Sequence, residues 1–221
     1  EFDGKFRNND LLAEISTGGR LSNLLNQRAG TWVIDPAVVD EVVALTAPYR
    51  LSNGKKFDAS LEAVAWIAKL KSVTRFASVV ALPYGNPDPV VTKGVAPTEL
   101  RFYYEYGQRQ LSTVLNKSVQ RGEGWSQGKI KIGDFTRSTY RDSRRALTQL
   151  STVVNPAEIE PQRAQLGRLL SPSLNQKDRA FFTYNAQEVV GKTKDRLRVF
   201  AGKFQLTSSK VKLPLTLGND F

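Results

Sequence analysis

Two aspartates are best placed by the sequence for acid–base chemistry. Asp35 closes the run Thr31-Trp32-Val33-Ile34, and Asp88 lies in the proline-rich stretch 83–89 that follows Ala77-Ser78-Val79-Val80-Ala81-Leu82. Both runs are short, apolar and rich in β-branched residues, as strands buried in a parallel sheet are. Barrels and open α/β sheets carry their functional residues at the carboxyl ends of such strands. Two carboxyl groups there can share the acid and base roles of glycoside hydrolysis. Each aspartate also has a local explanation. Asp35 precedes Pro36, the pairing of a helix N-cap with proline at the first helical position. Asp88 stands between Pro87 and Pro89, where aspartate serves a turn.

Much other chemistry is excluded. The chain contains no His, no Cys and no Met. Without His a Ser-His-Asp triad cannot form, and the usual Asp-plus-two-His metal set of deacetylases is missing. Without Cys there is no thiolate nucleophile and no disulfide. No Gly-rich phosphate loop of P-loop or dinucleotide-binding spacing is present, so no cofactor is expected. No metal site is expected either.

The second chemical signal is charge. Lys and Arg total 32 against 21 Asp and Glu, a formal net charge of +11. Such a field attracts phosphate, anionic lipid headgroups or nucleic acid. The densest basic stretch holds Arg137, Arg141, Arg144 and Arg145, with Lys129 and Lys131 before it. Guanidinium groups at this density can contact the phosphates of a lipid-linked precursor or an anionic lipid. The plainer account is a solvated helix face. Nucleic acid is not expected as a partner, because no recognition motif accompanies the charge. Among the aromatics, Tyr84 follows the second apolar run and is the one expected to be exposed for stacking on a sugar ring. Trp32 and Trp66 lie within apolar elements and are expected in the core; Trp125 falls in a Gly- and Lys-rich loop.

The elements that must position these residues can be read in order. Gly18-Gly19 stops a first helical stretch, and a short helix carries Leu21, Leu24 and Leu25. After the first strand, Val38, Val39, Val42, Val43 and Leu45 share one helix face. Asn53-Gly54 signals a turn. Asp58 or Ser60 then caps a helix that turns Leu61, Val64, Ala65, Ile67, Ala68 and Leu70 inward. Strand, helix, helix, strand at this spacing predicts a parallel crossover. Beyond it the pattern predicts a helix over 98–120 interrupted at Gly107, a loop over 121–133, a helix from Asp134 to Val154, a helix start at Pro156 and Pro161, and a helix from Arg179 to Phe200. The alternation over 203–217 predicts a β-hairpin with one buried face.

Several stretches also carry a resemblance: FRNNDLLAEISTGGRLSNLL (6–25), TWVIDPAVVD (31–40), VAWIAKL (64–70), VALPYGNPDPV (80–90) and LTSSKVKLPLTLGND (206–220). Together they resemble an uncharacterised actinobacterial family of large membrane-anchored cell-envelope proteins, whose genes commonly sit beside that of the lipid II flippase. The resemblance implies an extracytoplasmic ectodomain, with a signal peptide upstream and an anchoring membrane helix downstream. It implies an α/β fold: over 1–200 a partial or degenerate (β/α) barrel like those of glycosidases and deacetylases, with a helical C-terminal part, and over 201–221 the first strands of an immunoglobulin-like sandwich. Taken with the missing His and Cys and the basic stretch, the resemblance suggests a non-catalytic module of peptidoglycan or envelope biogenesis, with the flippase, another wall-synthesis membrane protein, or an anionic glycan or lipid precursor as partner. A carboxylate-dependent glycosidase using Asp35 and Asp88 is the alternative.

Overall fold

In the computed structural model the described residues are 2–122, 130–201 and 215–220. The chain is mixed α/β. Helices α1 (Asp10–Ile15) and α2 (Arg20–Leu24) lead into strand β1 (Thr31–Ile34), followed by α3 (Pro36–Ala44). The polar stretch around Asn53-Gly54 forms a small antiparallel pair, β2 (Tyr49–Arg50) with β3 (Lys56–Phe57), and Gly54 takes the left-handed turn conformation at φ 85°. Helix α4 (Leu61–Thr74) then returns the chain to β4 (Ser78–Ala81), which runs parallel to β1 with Thr31 opposite Ser78 and Ile34 opposite Ala81. Helices α5 (Pro89–Val95) and α6 (Pro97–Leu115) lead to β5 (Gln120–Arg121), parallel to β4 on its other side.

Among the described residues, helices cover one face of this three-stranded sheet. Val79 and Ala81 lie in a core with Val39 and Val42 of α3, Trp66 and Leu70 of α4, and Leu111 and Leu115 of α6; Trp32 and Ile34 pack against it. Helices from both crossovers therefore share one side. On the opposite side Thr31, Ser78 and Gln120 are exposed, and Val33 is 54% exposed. Parallel sheets are ordinarily buried on both faces.

The remaining chain is helical: α7 (Asp134–Leu150), α8 (Pro156–Gln165), a 3₁₀ helix Leu166–Leu170, and α9 (Gln176–Lys194). Their second core contains Tyr140, Leu147, Ile159, Leu166, Leu169, Leu170 and Ala186. Tyr103 of α6 also belongs to it, so α6 serves both cores. Gly107 does not break α6, contrary to the sequence expectation. A Cβ there would lie 2.9 Å from Leu82 O and 3.0 Å from Tyr84 N. Glycine at this point lets the helix touch the loop after β4.

The C-terminal end differs from expectation in its boundaries. Helix α9 stops at Lys194, and β6 (Leu197–Ala201) pairs antiparallel with β7 (Leu215–Asn219), Leu197 opposite Asn219. Most of the expected hairpin over 203–217, like Trp125 and Lys129, lies outside the described residues. Among the described residues no helix is long and apolar enough to cross a membrane.

Candidate functional site

The carboxyl ends of β1 and β4 do meet, and the loop after β4 is held at several points. Tyr84 N donates to Tyr103 O of α6 (3.0 Å), Asn86 N to Pro83 O (2.7 Å), and Asp88 N to Leu170 O of the 3₁₀ helix (2.8 Å). Gly85, at φ 75°, could not carry a side chain: its Cβ would lie 2.6 Å from Arg168 Cγ. Its N–H instead donates to Asp35 Oδ1 at 3.0 Å.

Both predicted aspartates cap helices. Asp35 Oδ1 also accepts from Ala37 N at 3.0 Å, at the start of α3. Asp88 Oδ1 accepts from Val90 N (2.9 Å) and Val91 N (3.0 Å) at the start of α5, and Asp88 is fully buried. Two carboxyls open to one cleft, which glycoside hydrolysis requires, are not what these side chains present. For Asp35 the cap is the local reading; Asp88, read as a turn residue, proves to be a cap as well, because every helix start has donors that need acceptors. Removing the Asp88 carboxyl by Asp88→Ala is expected to lower stability by about 1–2 kcal/mol. Urea unfolding measures it, and an unchanged midpoint would show that the cap contributes nothing.

Tyr84 is likewise corrected. It is 5% exposed rather than open to a sugar, with its ring edge-on to Tyr106 at 5.0 Å. Burial, first of all, raises its hydroxyl pKa, and Asp40 raises it further. Here the structure adds three residues that the sequence reading passed over. Asp40 and Glu41 project from α3, and Glu41 Oε1 pairs with Arg168 Nη2 at 2.5 Å. Asp40 is a hydrogen-bond partner of Tyr84. Desolvation pushes the carboxyls of both Asp35 and Asp40 up to about 6, with Arg168 opposing the shift in each case. Asp40, Glu41, Tyr84 and Arg168 line a cleft of about 100 Å³ together with Lys5 and Gln165. Carboxyls titrating near 6 can exchange protons close to neutral pH. Arg168 had a legible signal, a single charge inside Leu166-Gly167-Arg168-Leu169-Leu170, since a charge in an apolar run needs a partner. Among the described residues no three acidic side chains converge as a metal cage.

The basic stretch divides in two. Arg137, Arg141 and Arg145 are exposed on α7, and spacing of four residues puts them on one face. None of the three forms an ion pair with a described residue. Arg144 departs from the expected cluster. It turns inward, with Nη1 3.8 Å from Glu99 Oε1. Glu99 is 1% exposed and takes a forked pair of hydrogen bonds from Arg163, Nε at 2.9 Å and Nη2 at 2.7 Å. The Arg163 guanidinium also sits 4.1 Å above the Phe102 ring. Beside this group the Tyr103 and Tyr140 hydroxyls are 2.9 Å apart. Arg144 therefore belongs to a buried network joining α6, α7 and α8. Trp66 is buried and Trp32 half-buried, as expected of core residues.

No model of a known protein family, no curated protein and no solved structure matches the chain.

Proposed function

We propose that the chain is an extracytoplasmic cell-envelope module without a catalytic role, and that it binds phosphate-bearing anionic ligands along the outer face of α7. The observation that carries this reading is the row Arg137, Arg141, Arg145, exposed and without a described ion-pair partner. Like charges at i,i+4 disfavour a helix by a few tenths of a kcal/mol per pair. An anionic ligand converts that cost into charge-assisted hydrogen bonds. The net charge of +11 supplies long-range attraction of the same sign.

The setting of this reading comes from the five stretches that resemble the envelope family. It places the module outside the plasma membrane, anchored by a membrane helix, beside the lipid II flippase or another wall-synthesis membrane protein. The sheet supports the finer fold reading of a partial (β/α) barrel. Helices of two successive crossovers cover one face, and on the face that a barrel turns inward Val33 is exposed. The antiparallel pair β6 and β7 is compatible with the start of an immunoglobulin-like sandwich.

Equilibrium binding of farnesyl diphosphate, inorganic pyrophosphate and glycerol 3-phosphate tests the ligand class. Wild type is expected to bind the diphosphates, more weakly as salt rises. The variant R137Q/R141Q/R145Q is expected to lose about tenfold or more in affinity, given up to about 1 kcal/mol for each exposed charge contact. Farnesyl diphosphate bound in preference to glycerol 3-phosphate identifies a lipid-linked precursor; the reverse identifies a lipid headgroup. Equal affinity of variant and wild type overturns the reading.

A further inference from the structure

Helix α4 is apolar on its inward side and on the first half of its exposed side. Ala63, Trp66 and Leu70 face the core, as an amphipathic helix requires. The outward side should then be polar. It instead carries Leu61, Val64, Ala65 and Ala68, spaced three and four residues apart, all exposed. Leu61 is 81% and Val64 48% exposed, and Phe76, two residues beyond the helix, is 91% exposed. No described large apolar residue is more exposed than Phe76 and Leu61, and they mark the two ends of one element about 20 Å long. Contiguous exposed apolar side chains of this kind mark a surface that meets a partner or a membrane.

The charges around this stripe indicate what covers it. Lys71 and Arg75 are exposed beside it, and the Arg75 guanidinium lies 5.0 Å from the centre of the Phe76 ring. On the other flank Lys69 donates to Asn26 Oδ1, and Arg28, two residues on, is exposed. The sole acid of α4 is Glu62, at its first turn. The cations around the face (Lys69, Lys71, Arg75 and Arg28) outnumber its one acid, and an anionic surface matches that balance. Apolar side chains bordered by Lys and Arg are the pattern of helices that lie in the headgroup region of anionic bilayers.

The geometry points to α4 as a membrane-docking element: Leu61, Val64 and Phe76 enter the interface of an anionic bilayer, while Lys69, Lys71, Arg75 and Arg28 meet its headgroups. The site is separate from the arginine row of α7, and it requires no ligand there.

Co-sedimentation of the full chain with vesicles of equimolar phosphatidylglycerol and phosphatidylcholine tests it. Wild type is expected to bind, and to bind less as salt rises. L61Q/F76Q is expected to lose at least about tenfold in partitioning with its circular dichroism unchanged, because both side chains are already in solvent. K71Q/R75Q is expected to flatten the salt dependence. Binding of L61Q/F76Q within about twofold of wild type overturns the proposal. So does a concentration-dependent dimer, seen by sedimentation equilibrium, that L61Q/F76Q dissociates; the face would then belong to a second copy. If vesicle binding is lost in R137Q/R141Q/R145Q and kept in L61Q/F76Q, the contact lies on α7 and the α4 assignment falls.

Discussion

Replacing Glu99 by Gln is expected to lower the unfolding free energy by about 3–5 kcal/mol, the usual cost of leaving buried charge without its partner. Glu99 is almost wholly buried, and its carboxylate takes two hydrogen bonds from Arg163 and lies near Arg144. Glutamine keeps the shape and one acceptor but leaves two guanidinium groups facing each other across α6, α7 and α8. Arg163 cannot simply swing into water, because its guanidinium is stacked on Phe102. The neighbouring Tyr103–Tyr140 hydroxyl pair would feel the same loss, since it packs in the same interior. Urea unfolding of E99Q measures the effect. The double variant E99Q/R163M is expected to recover part of it, because apolar replacement of a whole buried pair is often neutral. A loss below about 1 kcal/mol in E99Q would show that water reaches the network and that the ion pair is not what joins the helices.

The second large effect concerns pH. In the folded chain Asp35 and Asp40 hold their protons up to about pH 6, because the interior disfavours their charged forms. In the unfolded chain both release them near the ordinary value of 3.8. Between these values the folded state binds more protons, so stability falls as pH rises. The contribution is complete below about 3.8 and is lost as pH passes 6. Carboxylates shifted the other way, Asp3, Glu62, Glu105 and Asp178, act only at lower pH and do not offset it in this window. Two carboxyls at about 1.4 kcal/mol per pH unit, discounted for partial exposure, amount to on the order of 2 kcal/mol. A melting temperature about 4–8 °C higher at pH 5 than at pH 7.5 is expected. Asp40→Asn should flatten the profile, because the amide keeps a partner for Tyr84 and carries no charge at either pH. A profile in D40N as steep as that of wild type would remove Asp40 from the account.

Much of the backbone was legible in the residues. The apolar runs at 31–34 and 78–81 are parallel strands, and Asp35-Pro36 opens a helix, because periodicity and capping act over a few neighbours. Ser60 caps α4 through Ala63 N at 3.1 Å. Asn53-Gly54 makes the turn that its conformational preferences demand. The boundaries near Gly107 and Lys194 were less legible. Gly107 breaks a helix on intrinsic propensity, yet α6 continues through it because the loop after β4 must come close.

The chemistry of the site was less legible than the fold. Local preference gave Asp35 its cap and Asp88 a turn; the structure keeps the first and makes Asp88 the cap of α5. Tyr84, on a loop, read as exposed, but Arg168 and Tyr106, distant in sequence, bury it. Four arginines read as one cluster until Glu99, on another helix, drew Arg144 away from Arg137, Arg141 and Arg145. The sequence by itself determined strands β1 and β4, the Asp35 cap, the Asn53-Gly54 turn and the sign of the surface charge, since each depends on neighbouring residues or on simple totals. Only the tertiary structure decided which charges are partnered and which remain exposed. Burial and ion pairing depend on what the rest of the chain brings alongside, and no local pattern encodes that.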